Sequence, residues 1–352
     1  MSENVPLLEV RELRTHFFLE AGTVRAVDGV SFTIHRGKTL GIVGESGCGK
    51  SVAARSILRL VRPPGKIVSG SMLYHRQPRT NEAHSQTEII DLAALDPDGA
   101  EIRHIRGNEI AMIFQEPMST LSPVHTIGNQ MIETIRLHQG VSPDEARARA
   151  IEMLRRVGMP QPDRTVDRYR HELSGGMRQR AMIALALSCR PALLIADEPT
   201  TALDVTTQAQ ILELMKDLQE EFGMAIMFIT HDLGVIAEMA DDVIVMYLGH
   251  EVEAADVDTL FYAPKHPYTR ALLRSIPRID QRVESLHTIE GMVPDPYSIP
   301  AGCRFHPRCP YYLPEVCTAP PLVRIGKNHV ARCARVFDAY TEPVVAPAES
   351  FA

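Results

Sequence analysis

The chain has 352 residues, of which 45% are hydrophobic and 23% charged, with a net charge of −7. That is ordinary globular composition with room for about two domains, and it carries no basic stripe of the kind that binds nucleic acid. No apolar run approaches the roughly 18 residues of a membrane-spanning helix, and the start, MSENVPLLEVRELR, lacks the positive end and apolar stretch of a secretion signal.

The expectation is therefore a cytosolic chain, where clustered cysteines bind metal or do redox chemistry more often than they pair. In chain order, VRAVDGVSFTI (24–34) alternates enough to predict a strand. TLGIVG (39–44) reads as a buried strand ending in glycine, and KSVAARSILRL (50–60) as a helix stopped by Pro63 and Pro64. Residues 75–108 are polar, with HRQPRTNEAHSQTE expected as an exposed loop. EIAMIFQ (109–115) predicts another strand.

A mostly helical region follows. SPDEARARAIEMLRRVG offers Ser142 as N-cap, Pro143 at the first helical position, Glu145 to complete a capping box and Gly158 as the stop. A second helix is predicted from about Ser174 to Cys189. ALLIAD (192–197) and AIMFITHD (225–232) read as buried strands, with the amphipathic TTQAQILELMKDLQEEFG between them. Strand, helix, strand at this spacing predicts a parallel sheet and an α/β core. Proline density rises from Pro264, which marks a linker and a separate tail.

GESGCGKS (44–51) matches the pattern G-x-x-x-x-G-K-[ST] between a buried strand and a helix. Gly44, Gly47 and Gly49 let the backbone curl, so that its N–H groups, with Ser46 and Cys48 in the run, point at phosphate oxygens. Lys50 is expected to reach the β- and γ-phosphates of a nucleotide and Ser51 to ligate Mg²⁺. ALLIADEPT places Asp197 and Glu198 at the end of an apolar strand. There the aspartate can orient Mg²⁺, and the glutamate can accept a proton from an attacking water.

Between these motifs lies LSGGMRQR (173–180), which resembles the signature of ABC-type ATPases. The other family motifs follow in order over residues 7–260. Gln115 in MIFQEP resembles the Q-loop, Asp204 in TALD the D-loop, and His231 in FITHD the switch histidine. Phe17 in LRTHFF sits where an aromatic ring stacks on adenine, with Phe18 as the alternative. The resemblance implies a phosphate-loop nucleotide-binding fold: a parallel-sheet core, an antiparallel β subdomain and a helical subdomain. It implies a core at 1–115 and 186–260, helices at 116–185 that meet membrane partners, and an extension at 261–352. It also implies that Gln115 and Asp197 join Ser51 on Mg²⁺, that Glu198 is the general base, and that His231 holds the γ-phosphate. Ser174, Gly175 and Gly176 would offer a helix start to ATP held by a partner subunit, so that two ATPs are sandwiched head-to-tail.

HPYTRALLRSIP (266–277), EGMVPDP and GCRFHPRCP resemble the tails of ATP-binding subunits from dipeptide, oligopeptide and nickel importers, and the four-cysteine form resembles their D-type subunit. That resemblance implies a second, related ATPase subunit, two membrane permease subunits and, indirectly, a periplasmic solute-binding protein. It implies no nucleic-acid partner and a place on the cytoplasmic face of the bacterial inner membrane. The cargo stays open among peptides, nickel, opines and oligosaccharides. A half that binds ATP without hydrolysing it, and a soluble ABC ATPase outside transport, are the rival readings.

Cys303, Cys309, Cys317 and Cys333 are spaced C-x₅-C-x₇-C-x₁₅-C. Four thiolates can hold zinc or an iron–sulfur cluster, or remain plain buried thiols. The first gap is longer than the two to four residues that usually open a zinc site, and Pro310 after Cys309 echoes the Cys-Pro of bacterial ferredoxins. The family resemblance favours a [4Fe–4S] cluster, which would cross-link a tail with little core of its own. His306 reads as a loop histidine, and Cys48 and Cys189 as structural.

Overall fold

The computed structural model describes residues 5–77, 87–115, 120–201, 203–276, 289–318 and 320–336. In chain order these form β1 (Pro6–Leu19), β2 (Gly22–His35), β3 (Thr39–Val43), α1 (Lys50–Ile57), β4 (Gly65–Arg76), β5 (Glu88–Asp91), α2 (Ala100–Ile105) and β6 (Ile110–Ile113). Then come α3 (Ile127–Gln139), α4 (Pro143–Arg156), α5 (Pro162–Thr165), α6 (Gly175–Leu187), β7 (Leu193–Asp197), α7 (Val205–Phe222) and β8 (Ala225–Ile229). The last stretch holds α8 (Leu233–Met239), β9 (Asp242–Tyr247), β10 (His250–Asp256), α9 (Val257–Tyr262), α10 (Pro267–Arg274), β11 (Val323–Arg324) and β12 (Val330–Ala331). No helix among the described residues is long and apolar enough to cross a membrane. The chain divides into two compact units: Met1–Leu8, Ile34–Lys38 and His75–Ile229 form one, and Glu9–Thr33, Thr39–Tyr74 and Thr230–Ala352 the other.

In the first unit β6, β7 and β8 are parallel neighbours, with Ile110 opposite Leu193 and Leu193 opposite Ala225. Every residue of β7 and β8 is buried. Parallel strands need a crossover, and α7 supplies it between β7 and β8. α3, α4 and α6 pack together beside them. Ser142 caps α4 as expected, its hydroxyl accepting from the Glu145 N–H at 3.2 Å. The polar stretch 75–108 holds regular elements on either side of the expected loop. β4 runs on to Arg76, and β5 and α2 follow. Arg76 binds Glu109 at 2.9 Å, Glu88 at 3.1 Å and Glu101 at 2.5 Å, and these partners hold its pKa up. Ion pairs order this segment, and hydrophobic periodicity does not report them. Residues 78–86, the middle of the expected loop, lie outside the described residues.

In the second unit β3, buried throughout, pairs in parallel with β9, Leu40 opposite Asp242 and Val43 opposite Val245. β9 and β10 form an antiparallel hairpin through the turn at Leu248 and Gly249. β2, β1 and β4 lie side by side in that order. Among the described residues, one small core cluster of the tail is Ala331, Cys333 and Val336, with Val323 and Ile325 against them. The tail also leans on the sheet. β12 pairs with β10, Glu253 opposite Ala331, and β11 pairs with β12. The fully buried carboxylate of Glu253 ties this hairpin to α10, accepting from the backbone N–H of Lys265 (2.6 Å) and His266 (2.8 Å) and meeting His329 Nε2 at 2.7 Å.

Candidate functional site

The phosphate-type loop belongs to the second unit. It leaves β3 at Gly44 and enters α1 at Lys50, with Gly49 as the N-cap residue at φ 105°. A Cβ on Gly49 would lie 2.0 Å from the Ala26 carbonyl oxygen, and one on Gly44 2.2 Å from that of Met246. Glycine is therefore forced at both ends of the loop, while Ser46 and Gly47 are exposed at its crest. Lys50 is buried and folds back on the loop. Its Nζ donates to the carbonyls of Gly44 (2.6 Å) and Glu45 (3.0 Å) and lies 3.7 Å from Cys48 Sγ. Burial pushes the Cys48 thiol up, which keeps it neutral. Ser51 is half-buried on the first turn of α1.

His231, in the same unit, is exposed after Thr230, whose N–H donates to the Ile42 carbonyl of β3 at 3.3 Å. Asp232 caps α8, accepting from Gly234 N–H at 2.8 Å. On β1, Phe17 packs at Gly65, where a Cβ would meet its ring at 2.6 Å. Phe18 is 53% exposed, beside His16.

In the first unit Asp197 ends β7 fully buried. Glu198 takes φ 50°, a left-handed conformation that costs a non-glycine residue about 1–3 kcal/mol and clusters at functional sites. Its N–H donates to the Ile229 carbonyl at 2.9 Å. Its carboxylate accepts from Gln115 Nε2 (3.1 Å) and Thr201 Oγ1 (3.1 Å). Gln115 and Glu198, 83 positions apart, are thus brought together, and Thr201 is a partner that the sequence reading missed. Ser174 caps the 13-residue α6, accepting from Met177 N–H at 3.4 Å. It and Gly175 are exposed, and a Cβ on Gly175 would meet nothing within 4 Å, so the chain itself does not require glycine there. Asp204 caps α7. Hydrogen bonds from the Thr207 N–H and hydroxyl hold its carboxyl below the usual range.

Cys303, Cys309, Cys317 and Cys333 line one cavity of about 10 Å³, together with His306 and Tyr312. Gly302 makes this possible. At φ 78°, with a Cβ only 2.2 Å from the Thr318 oxygen, it lets Cys303 N–H reach the Cys317 carbonyl at 3.3 Å. His306 turns its Nδ1 to the Cys303 carbonyl (2.9 Å) and stacks on Tyr312. Burial, with the neighbouring thiols adding to it, pushes Cys303 up and Cys309 up to about 11. Without a cation these are neutral thiols. As the chain stands, no three His, Cys, Asp or Glu side chains among the described residues converge closely enough to hold a metal ion. The fit to a soft metal centre lies in the donor chemistry and the shared cavity, and the coordination is not closed.

A phosphate loop after a buried parallel strand, an acidic strand end and a small-residue helix start together define an ABC-type ATPase. Residues 27–201 match the ABC transporter family, and residues 252–317 match the C-terminal region of oligopeptide/dipeptide transporters. The chain is 50% identical over 339 residues, 94% of its own length and 97% of the other's, to a Brucella melitensis protein provisionally named for peptide import and ATP binding. It is 50% identical over 329 residues, 93% of this chain and 96% of the relative, to the oligopeptide transport ATP-binding protein AppD of Bacillus subtilis. The dimeric ATP-binding cassette MJ0796 in a post-hydrolysis state with ADP and Pi superposes with a TM-score of 0.60 at 27% identity, covering 71% of this chain and 98% of that one. The chain belongs to the peptide/oligopeptide-importer family of ABC transporter ATP-binding subunits.

Proposed function

We propose that this chain is the ATP-hydrolysing subunit of an ABC importer for peptides or related small solutes. Glu198 carries the reading: a carboxylate at the end of a buried parallel strand, held in a strained conformation and oriented by Gln115 and Thr201. Such a group suits a water that must be aimed and deprotonated. The loop from Gly44 to Ser51 holds the phosphates through its N–H groups. Lys50 exchanges its loop carbonyls for phosphate oxygens, and Ser51, Gln115 and Asp197 serve Mg²⁺. His231 keeps the γ-phosphate in place, and Phe17 or Phe18 carries the adenine. The open space at Gly175 supports a role for Ser174, Gly175 and Gly176 toward ATP on a second, related ATPase subunit, with Asp204 at that interface. The helices in 116–185 dock on two permease subunits at the cytoplasmic face of the inner membrane, and a periplasmic solute-binding protein delivers the cargo.

Glu198→Gln in the assembled complex lowers ATP turnover by about 10²–10⁴-fold while MgATP still binds. Turnover within twofold of wild type would move the base elsewhere. Recovery of the chain with two membrane proteins in mild detergent tests the importer assignment, and recovery alone would support a soluble ABC ATPase.

In the tail, Cys303, Cys309, Cys317 and Cys333 are the ligands of a [4Fe–4S] cluster, with zinc as the alternative. When bound, the cluster supplies a rigid cross-link or a one-electron centre. Protein purified without oxygen is then brown, and Cys303→Ser bleaches it. A colourless sample with stoichiometric zinc would replace the cluster by zinc.

A further inference from the structure

The tail does more than follow the nucleotide-binding core. It grips the phosphate loop at Glu45, by both the main chain and the side chain. The Glu45 N–H donates to the buried hydroxyl of Tyr268, at 2.9 Å, from α10. Its carboxylate takes both arms of Arg308, at 2.6 and 3.0 Å. The Arg308 side chain is 3% exposed. Its Nε donates to the Glu290 carbonyl at 3.1 Å, and its guanidinium lies 5.9 Å from the centre of the Tyr247 ring. A forked guanidinium on a carboxylate fixes orientation as well as distance.

A second arm reaches the far side of the loop. Arg304 donates to the Leu248 carbonyl and to the Asp28 carboxylate. In the same turn the Gly249 N–H donates to the Cys48 carbonyl at 2.9 Å. Both arginines lie between Cys303 and Cys309. The five residues between two thiols of the cavity wall therefore hold the loop directly at Glu45 and, through the Leu248–Gly249 turn, at Cys48.

We propose that Arg308 and Tyr268 are positioning residues for nucleotide binding, and that through them the loop's affinity for ATP is coupled to the bonding state of the four-thiol cavity. This rests on the reading of residues 44–51 as the phosphate cradle. A cradle of N–H groups binds tightly when it is held in shape before the ligand arrives. Freeing Glu45 lets the loop wander and weakens binding. The coupling is reciprocal, so nucleotide also changes the cavity's thiols.

The test uses the purified full-length chain, with a fluorescent ATP analogue and Mg²⁺ for affinity and iodoacetamide for thiol reactivity. Tyr268→Phe removes one oxygen and leaves the half-buried Glu45 N–H without that acceptor, and Arg308→Gln removes the fork. Each raises Kd about tenfold. Arg308→Lys, which keeps the charge and loses the fork, falls between Arg308→Gln and wild type. Glu45→Gln combined with Arg308→Gln is no weaker than the worse single variant, because both break one contact. Saturating MgATP slows alkylation of Cys309 in the wild type and not in Arg308→Gln. A merely structural role would lower the melting temperature and leave the Kd of the folded protein unchanged. Kd values within twofold of wild type for folded Tyr268→Phe and Arg308→Gln overturn the proposal, as does alkylation indifferent to nucleotide. If Arg308→Gln does not fold, Tyr268→Phe and the wild-type alkylation decide alone. A wild type that binds no nucleotide removes the cradle reading, and this proposal with it.

Discussion

The phosphate loop and the cysteine cavity both lie in the second unit, and both gather polar atoms around a space, by opposite means. The loop is eight consecutive residues whose shape is set by glycine at Gly44 and Gly49, where any Cβ would strike a carbonyl. In the proposed function its working groups are main-chain N–H groups. The cavity collects four side chains spread over 31 positions, and nothing local brings them together. Gly302, the Tyr247–Tyr268–Phe305 rings and the pairing of β12 with β10 do so. A site made of backbone fails when one residue's conformation is denied. A site made of gathered side chains fails when the packing behind it loosens.

The largest effect is expected in the loop. Gly49→Ala places a methyl group 2.0 Å from the Ala26 oxygen at a φ of 105°. Strain of this kind should weaken ATP binding by about a hundredfold, read by titration with a fluorescent analogue. An affinity near wild type would mean that the loop can rebuild itself, and the contrast with the tail would vanish.

The tail should break through its packing. Phe305 is 1% exposed, with the rings of Tyr247 and Tyr268 each 5.3 Å away. Phe305→Ala should cost about 3 kcal/mol in urea unfolding, with faster alkylation of the four thiols. A cost below about 1 kcal/mol would show that the hairpin alone holds the tail.

The smallest effect sharpens the comparison through pH. Burial pushes His250 down to about 3 and His266 down to about 4, both from 6.5. His266 uses its neutral Nδ1 to accept the Tyr268 N–H at 3.1 Å. Below pH 6.5 the unfolded chain takes up these protons and the folded chain does not, so stability falls as pH falls toward 4. Glu251 opposes this. Burial raises it to about 7 from 4.5, so the folded carboxyl gains its proton first and stability rises as pH falls between those values. With two histidines against one carboxyl, the net loss from pH 7 to pH 5 is about 1–2 kcal/mol. Urea midpoints at the two pH values, at fixed ionic strength, measure it. Unchanged stability would mean that the histidines are solvated.

The buried strands β3, β7 and β8, the capped helix α4 and the order of the ATP motifs were legible because each is a local pattern: an apolar run, a cap, a glycine at a forced turn. β5 and α2 within 75–108 were not legible because Arg76 organises that stretch through carboxylates up to 33 positions away. β10 was missed because charge interrupts it. Glu251 and Glu253 are buried among its residues, Glu251 meeting Arg332 through one carboxylate oxygen and Glu253 meeting His329 and two backbone N–H groups. Thr201 and Tyr268 stood inside quoted motifs, but only distance shows what they touch.

The sequence by itself determined where the backbone must bend, which strands are buried and in what order the candidate ATP motifs come, because sterics and hydrophobic period act over a few residues. Only the tertiary structure decided that four scattered thiols share a cavity, and that Arg308 closes on Glu45 across 263 positions. Such contacts depend on how the sheet edge, the aromatic rings and the tail hairpin pack together, and no local pattern encodes that.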